Sequence, residues 1–236
     1  MLKAILFDLD GTLLPMDLNQ FMKAYFGGLS KRLAPHGYEP KLLIDGIWAG
    51  TAAMVKNDGK KSNEEVFWDT FSSLHGEKVR GDIGYFDAFY REDFDGVKTV
   101  CGFDENAAKT VKELKQRGYK VVLATNPIFP SIATEKRMKW AGLNKEDFEF
   151  FTTYENSKYC KPNPDYYRDI LERLGLKGEE CLMVGNDVVE DMVARTLGMK
   201  VFLLTACLIN KNGEDISVYP HGDFDDLMKA IDEGTL

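Results

Sequence analysis

The feature that most constrains this chain is an apolar run near its start that leads directly into a pair of carboxylates. Residues 4–7 (AILF) are all apolar, and residues 8–12 (DLDGT) follow at once. An unbroken apolar run of this length predicts a strand that is covered on both faces, as in a parallel sheet. Because ligands of open parallel sheets bind just beyond the carboxyl ends of the strands, the run predicts a site at Asp8 and Asp10.

Asp8 and Asp10 lie two residues apart, so their carboxyl groups can face the same side of an extended chain and share one cation or one phosphate. The alternative is an ordinary Asp-Gly turn after a strand. At background frequencies, however, the pattern Asp-x-Asp-Gly-Thr arises by chance in roughly two of a thousand chains of this length. A turn alone is therefore a weak explanation.

The composition narrows the classes of partner. The chain has 236 residues, of which 44% are hydrophobic and 29% charged, enough for one large domain or a domain with an insertion. Its net charge of −8 disfavours nucleic acid and anionic membranes as partners. The first residues do not resemble a signal peptide, no apolar run approaches the ~20 residues of a membrane span, and the cysteines form no Cys-x-x-Cys pair. We therefore expect a cytoplasmic protein with reduced cysteines.

Residues 17–90 contain no convincing strand, but their apolar residues recur at helical spacing and predict four helices. Ser62 and Glu65 have the spacing of a capping box at the start of one helix. The aromatic residues Trp48, Phe67 and Trp68 are expected in the core of the bundle. We expect an inserted all-helical cap domain at residues 15–95 and a core formed by residues 1–14 and 96–236.

The rest of the chain alternates between helices and strands, which predicts an α/β fold with a parallel sheet. Helices are expected at 104–117, at 131–141, and in two segments that end at 174 and 197. Further strands are expected at 120–124, 150–153, 181–184 and 201–204. Polar clusters follow several strands, at Thr125-Asn126, at Lys161 and at residues 186–191, and they should meet at one edge of the sheet.

These clusters, in this order, resemble the four motifs of the haloacid dehalogenase-like superfamily, most of whose members are magnesium-dependent phosphatases. Motif one is residues 8–12, motif two is Thr125, motif three is Lys161 before a proline, and motif four is residues 186–191. The resemblance implies a Rossmann-like three-layer core and an inserted helical cap of the first class. It implies little about the substrate.

The chemistry of phosphoryl transfer agrees with this set of residues. An ordinary aspartate is ionised at pH 7, so Asp8 can attack phosphorus without a base. The resemblance implies that Asp8 and the backbone carbonyl of Asp10 bind Mg²⁺, and that the Asp10 side chain protonates the leaving alcohol and later deprotonates water.

Thr125, Asn126 and Lys161 are the expected partners of the phosphate. Thr125 and the amides after it can donate hydrogen bonds to phosphoryl oxygens, although a Thr-Asn turn without a ligand is the simpler reading of that dipeptide alone. Lys161 would supply a fixed positive charge, with the nearby Lys158 as the rival candidate.

Motif four departs from the simplest family pattern, because Asn186 stands where an aspartate usually follows the glycine. In one register Asp187 is the metal ligand and Asp191 helps to hold coordinated waters. In the other register Asn186 provides an amide oxygen, with Glu190 or Asp191 as the second group. Since divalent cations of this kind are usually held by carboxylates, charge favours Asp187. A helix cap would account for one carboxylate of this run but not for three.

We therefore predict a Mg²⁺-dependent phosphomonoester hydrolase that acts on a small phosphorylated metabolite, as a monomer or weak dimer. A sugar-phosphate mutase of the same superfamily is the nearest alternative. A dehalogenase is disfavoured because it needs no second aspartate, and Asp10 is present. A non-catalytic binding protein on the same fold is disfavoured because Asp8, Asp10, Thr125 and Lys161 are all retained.

Overall fold

The sheet of this protein has five strands, and every neighbouring pair is parallel. The computed structural model describes residues 1–236. The strands are β1 (Ala4–Phe7), β2 (Lys120–Leu123), β3 (Cys181–Gly185), β4 (Lys200–Leu204) and β5 (His221–Gly222). Their order is β2-β1-β3-β4-β5, so β1 is flanked on both sides and ends near the middle of the edge. The predicted α/β fold with a parallel sheet is confirmed.

One predicted strand is wrong. Of residues 150–153, only Phe151 pairs with the sheet, through a single bridge to Leu123. The side chain of Asn156 accepts a hydrogen bond from the Thr153 N–H at 2.9 Å and donates one to the Phe151 carbonyl at 2.9 Å. These bonds form a turn on the side that faces away from β2. The ladder ends because the Thr125 carbonyl accepts instead from Thr152 Oγ1 at 2.7 Å and Tyr166 Oη at 2.9 Å, and the Tyr154 N–H donates to the Phe129 carbonyl at 3.1 Å. The fifth strand is instead β5, which has no apolar run to reveal it.

Eight α-helices surround the sheet. The first five lie between β1 and β2 with no strand among them, the next two lie between β2 and β3, and the last follows β5. They are α1 (Leu18–Leu33), α2 (Pro40–Val55), α3 (Asn63–His75), α4 (Val79–Ala88), α5 (Glu105–Gln116), α6 (Ser131–Trp140), α7 (Pro164–Leu174) and α8 (Phe224–Glu233). A π-helical turn (Phe89–Asp93) and a 3₁₀ helix (Phe94–Val100) extend α4. The helix that was expected to end at 197 is a short 3₁₀ helix, Met192–Leu197.

The capping box at the start of α3 is confirmed. The Glu65 N–H donates to the Ser62 hydroxyl at 3.2 Å, and the Ser62 N–H donates to the Glu65 carboxylate at 2.8 Å. These bonds satisfy two backbone donors that a helix start otherwise leaves without partners. The sequence therefore sets where α3 begins.

Apolar clusters cover both faces of the sheet. Ile5 and Phe7 of β1 belong to one cluster, and Ala4 and Leu6 belong to the other. The first cluster also contains much of α1–α4, which together we call the helical segment. The helical segment and this face of the sheet therefore share one continuous core. We predicted Trp48, Phe67 and Trp68 in the core of the helical bundle. The prediction is partly wrong, because Phe67 and Trp68 are buried whereas Trp48 is half exposed.

Phe94 connects the helical segment to the sheet layer. Its ring is fully buried, and its centroid lies 5.1 Å from that of Trp140 on α6 and 6.4 Å from that of Phe21 on α1. The helical segment is therefore anchored at the start of its 3₁₀ extension as well as at α1. No helix in the structure combines the length and the hydropathy that crossing a membrane requires.

We expect Phe94→Ala to lower the free energy of unfolding by about 3–5 kcal/mol, because it removes a buried ring between two layers. The matched control is Phe103→Ala, since this side chain is 63% exposed and its loss should change stability by no more than about 0.5 kcal/mol. Urea denaturation followed by circular dichroism measures both. Equal losses in the two variants would show that Phe94 does not anchor the helical segment.

Candidate active site

The predicted site residues meet at one end of the sheet. A cavity of about 700 Å³ lies beyond the carboxyl end of β1. Seven of the predicted site residues are among those that line it: Asp8, Asp10, Thr125, Asn126, Asn186, Asp187 and Asp191. Lys161 contacts Asp8 from the protein interior and is 1% exposed.

Lys161 is held between two carboxylates. Its Nζ lies 2.9 Å from Asp8 Oδ1 and 2.6 Å from Asp191 Oδ1. Burial alone would lower the pKa of Lys161, but Asp191 and Asp8 together raise it well above its usual value. Lys161 therefore carries a positive charge beside Asp8. The rival candidate, Lys158, is exposed and is not part of this cluster.

The two oxygens of Asp10 have different surroundings. Oδ2 accepts a hydrogen bond from Arg137 Nη1 on α6, whereas Oδ1 is buried without a partner. Burial raises the pKa of Asp10 and the negative charge of Asp8 adds to the effect, while Arg137 opposes it. The side chain is thus fixed by one oxygen and offers the other to a ligand or a proton.

Arg137 is the site residue that the sequence analysis missed. It is completely buried, and its guanidinium lies 4.5 Å from the ring centre of Phe129 and donates to the Thr134 hydroxyl at 3.3 Å. A signal was available, because Ala133, Arg137 and Ala141 are four residues apart and therefore share one face of α6. An arginine among small apolar residues on one face is unusual for a solvated position.

The segment after β2 places Thr125 and Asn126 at the cavity. The Thr125 carbonyl accepts hydrogen bonds from Tyr166 Oη at 2.9 Å and Thr152 Oγ1 at 2.7 Å, which fix the backbone there. Asn126 Nδ2 donates to Glu190 Oε2 at 3.0 Å. One of the two N–H donors of Asn126 Nδ2 is therefore used, so the other and the backbone N–H remain for a phosphoryl oxygen.

Asn186 and Asp187 have different roles in the structure. Asp187 Oδ1 accepts from the backbone N–H groups of Val189 at 2.8 Å and Glu190 at 2.9 Å, so it caps the turn that follows it. Asn186 Oδ1 instead accepts from the Thr12 hydroxyl at 3.0 Å, and that hydroxyl also lies 3.2 Å from Asp8 Oδ2. These contacts favour the register in which Asn186 lies beside Asp8.

Gly11 makes this position of Asn186 possible. A Cβ atom at residue 11 would lie 2.3 Å from Asn186 Nδ2, and the backbone there has a φ of +85°. Both the contact and the conformation therefore require glycine. The glycine of motif one allows the end of β1 and motif four to approach closely.

The oxygen atoms near Asp8 suit a hard cation. No group of three or more His, Cys, Asp or Glu side chains in the protein could hold a metal ion by itself. A site at Asp8 would therefore also need a backbone carbonyl or the Asn186 amide oxygen. Carboxylate, carbonyl and amide oxygens are the ligands that Mg²⁺ and Ca²⁺ prefer in proteins.

Known proteins resemble the chain in sequence and in fold. It is 27% identical over 197 residues to the pyrophosphatase PpaX of Bacillus velezensis, which covers 84% of this chain and 80% of that protein. A HAD phosphatase from Thermococcus onnurineus superposes with a TM-score of 0.56 at 21% identity, covering 98% of both chains. The HAD-hydrolase YfnB of Bacillus subtilis, whose structure is bound to magnesium, superposes with a TM-score of 0.55 at 17% identity, also covering 98% of both chains.

The family model of the haloacid dehalogenase-like hydrolases matches residues 2–195. The match includes Asp8, Asp10, Thr125, Lys161 and motif four, the residues that the fold brings to one edge of the sheet. The order of the motifs, the parallel sheet and the family match agree, and this chain belongs to the haloacid dehalogenase-like hydrolases.

Proposed function

We propose that this protein is a Mg²⁺-dependent phosphomonoester hydrolase in which Asp8 is the nucleophile. The observation that carries the proposal is the Asp8 carboxylate at the end of β1, which faces the cavity, touches Lys161 and has Asp10 two residues away. The name of the relative PpaX, a pyrophosphatase, agrees with phosphorus chemistry. A small phosphorylated metabolite is the substrate class that a cavity of about 700 Å³ would admit.

Asp8 would attack phosphorus and form an aspartyl-phosphate intermediate. Lys161 holds Oδ1, which leaves Oδ2 as the attacking atom. The Thr12 hydroxyl has one proton for two acceptors, so Asp8 Oδ2 is free whenever Thr12 donates to Asn186 Oδ1. Lys161 would also stabilise the negative charge of the transferring phosphoryl group, because it is fixed and shielded from water.

Asp10 would act as the general acid and then as the general base. Arg137 fixes Oδ2, and the unpartnered Oδ1 is the atom that would carry the proton to the leaving alcohol and later take one from water. This assignment explains why two carboxylates at one strand end have different partners. Asp8 is bound to a lysine that reaches the phosphate, and Asp10 is bound to an arginine on α6.

Mg²⁺, when bound, would neutralise the repulsion between the Asp8 carboxylate and the phosphate. Asp8, the backbone carbonyl of Asp10 and Asn186 are the residues that would hold it, with Asp187 as the other candidate. The proposed cap, residues 15–95, would lie over this site, and Leu18 and Met22 of α1 already line the cavity. A cover of this kind excludes water from the reaction.

Asp8→Asn tests the nucleophile directly. We expect the rate of phosphate release from a phosphomonoester to fall by about 10⁴-fold or more, because the neutral amide cannot attack phosphorus. The matched control is Asp45→Asn on α2, which makes the same change at an exposed carboxylate that pairs with Lys41. A wild-type rate in Asp8→Asn, with an unchanged circular dichroism spectrum, would refute the proposal.

Asp10→Asn separates the general acid from the nucleophile. With an alkyl phosphate we expect a loss of about 10²–10⁴-fold in kcat, because the leaving alkoxide must be protonated. With p-nitrophenyl phosphate the loss should be clearly smaller, since that leaving group needs little protonation. Equal losses on both substrates would assign Asp10 a positioning role only.

A Mg²⁺ titration distinguishes the two registers of motif four. We expect Asn186→Ala to raise the Mg²⁺ concentration for half-maximal activity more than Asp187→Ala does, because Asn186 lies beside Asp8 while Asp187 caps a turn. Asp187→Ala should instead lower thermal stability, by about 1 kcal/mol at the melting temperature. If Asp187→Ala raised the required Mg²⁺ concentration more than Asn186→Ala, Asp187 would be the metal ligand, as its charge alone suggests.

A further inference from the structure

A second cavity adjoins the catalytic one and has different walls. Its volume is about 320 Å³, and 14 of the 20 residues around it are hydrophobic. We name it the apolar chamber and define it by Tyr25, Ile47, Trp48, Phe67, Phe86 and Phe129. It lies among α1–α4 and the loop after β2.

The chamber and the catalytic cavity share part of their walls. Leu18 and Met22 of α1 and Ile128 and Phe129 of the loop after β2 line both. Asn126, next to Thr125 in the catalytic cavity, also lines both. A molecule whose phosphate lies at Asp8 would therefore extend its other end towards the chamber.

We propose that the chamber binds the organic group of the substrate, and that this group is an uncharged aromatic or branched hydrocarbon. The proposal rests on the proposed phosphomonoester hydrolysis and names its substrate class. Inorganic pyrophosphate and small polar acids have no group that would replace water against such walls. An apolar group gains free energy there in proportion to the area it removes from water.

Several polar groups of the wall form hydrogen bonds within the protein. Tyr25 Oη and Tyr90 Oη lie 2.8 Å apart and bond to each other, and Asn126 Nδ2 is bonded to Glu190. Two buried groups stay without partners, the donor Trp68 Nε1 and the acceptor Asn126 Oδ1. The Thr51 and Tyr154 hydroxyls also line the chamber and make no hydrogen bond within the protein. These scattered groups are fewer than a sugar or a polyol needs, because its many hydroxyls would lose their hydrogen bonds to water.

A charged organic group is a less well supported occupant of the chamber. Three ionisable residues line it: Asp87 and Glu190, which are half buried, and Lys211, which is exposed. Glu190 already accepts a hydrogen bond from Asn126 Nδ2, and charges of both signs are present. A cationic organic group could use the aromatic rings and Asp87. It is the competing occupant that the experiment must reject.

A matched series of substrates tests the proposal. Ethyl phosphate, 2-phenylethyl phosphate, glycerol 3-phosphate and phosphocholine all release a primary alcohol, so differences in kcat/KM report mainly the organic group. We expect 2-phenylethyl phosphate to exceed ethyl phosphate by about 10–100-fold, the factor for burying a phenyl ring. Glycerol 3-phosphate should not exceed ethyl phosphate, and neither should inorganic pyrophosphate.

Trp48→Ala links this preference to the chamber. Trp48 is 50% exposed and lines the chamber from α2, so its truncation removes wall area from a partly open position. The ratio of kcat/KM for 2-phenylethyl phosphate over ethyl phosphate should fall by about 3–10-fold. Leu42→Ala is the control, because Leu42 lies on the same helix, is 57% exposed and does not line the chamber; it should leave both values unchanged.

The outcomes separate this inference from the proposed function. Turnover of all esters without preference for the phenyl group, or with preference for phosphocholine, would overturn the chamber assignment and leave the hydrolase intact. Absence of turnover on every ester would overturn the hydrolase. In that case the binding of 2-phenylethylphosphonate and ethylphosphonate, measured by calorimetry, tests separately whether the chamber binds an apolar group. Binding of the phenyl compound that is at least about tenfold tighter supports the assignment. Equal binding of the two compounds rejects it.

Discussion

The active-site end of this protein depends on one buried ammonium group. Lys161 is held by Asp8 at the end of β1 and by Asp191 in motif four, and it is almost completely removed from water. A buried charge that loses one partner is costly, so the three segments must be in place together. Gly185 contributes to the same arrangement, because a Cβ atom there would lie 2.1 Å from Asp191 Oδ2. Charge and close packing thus fix the geometry of the nucleophile.

Much of the fold could be predicted because the strands are marked by their own residues. β1 and β3 are unbroken apolar runs that end at polar motifs, and the capping box at Ser62 marks the start of α3. The prediction failed at 150–153, where apolar and β-branched residues resemble a strand. There the Thr152 and Tyr166 side chains take the Thr125 carbonyl that would continue the ladder, an effect that lies outside the apolar pattern.

The site could be predicted where each residue follows a strand or precedes a proline, as Asp8, Asp10, Thr125 and Lys161 do. Their roles stay predictions, but their meeting at one cavity or beside it is observed. Arg137 follows no strand and precedes no proline, and the signal of Ala133 and Ala141 at helical spacing is easily missed because Lys136 and Lys139 make the segment resemble a solvated basic run. Only its contact with Asp10, which is 127 residues away in the sequence, gives it a role.

Asp8 and Asp10 show how one strand end can provide two different carboxylates. Asp8 keeps an oxygen near the Thr12 hydroxyl and has its other oxygen on Lys161, while Asp10 is held by Arg137 and keeps Oδ1 unpartnered. Burial raises the pKa of Asp10, Arg137 opposes this and the charge of Asp8 adds to it, so the pKa is raised on balance and the protonated form is favoured. Phosphorylation of Asp8 would change the charge beside Asp10 at the moment when Asp10 has given up its proton. The proximity of the two residues thus couples the nucleophile to the acid that must follow it.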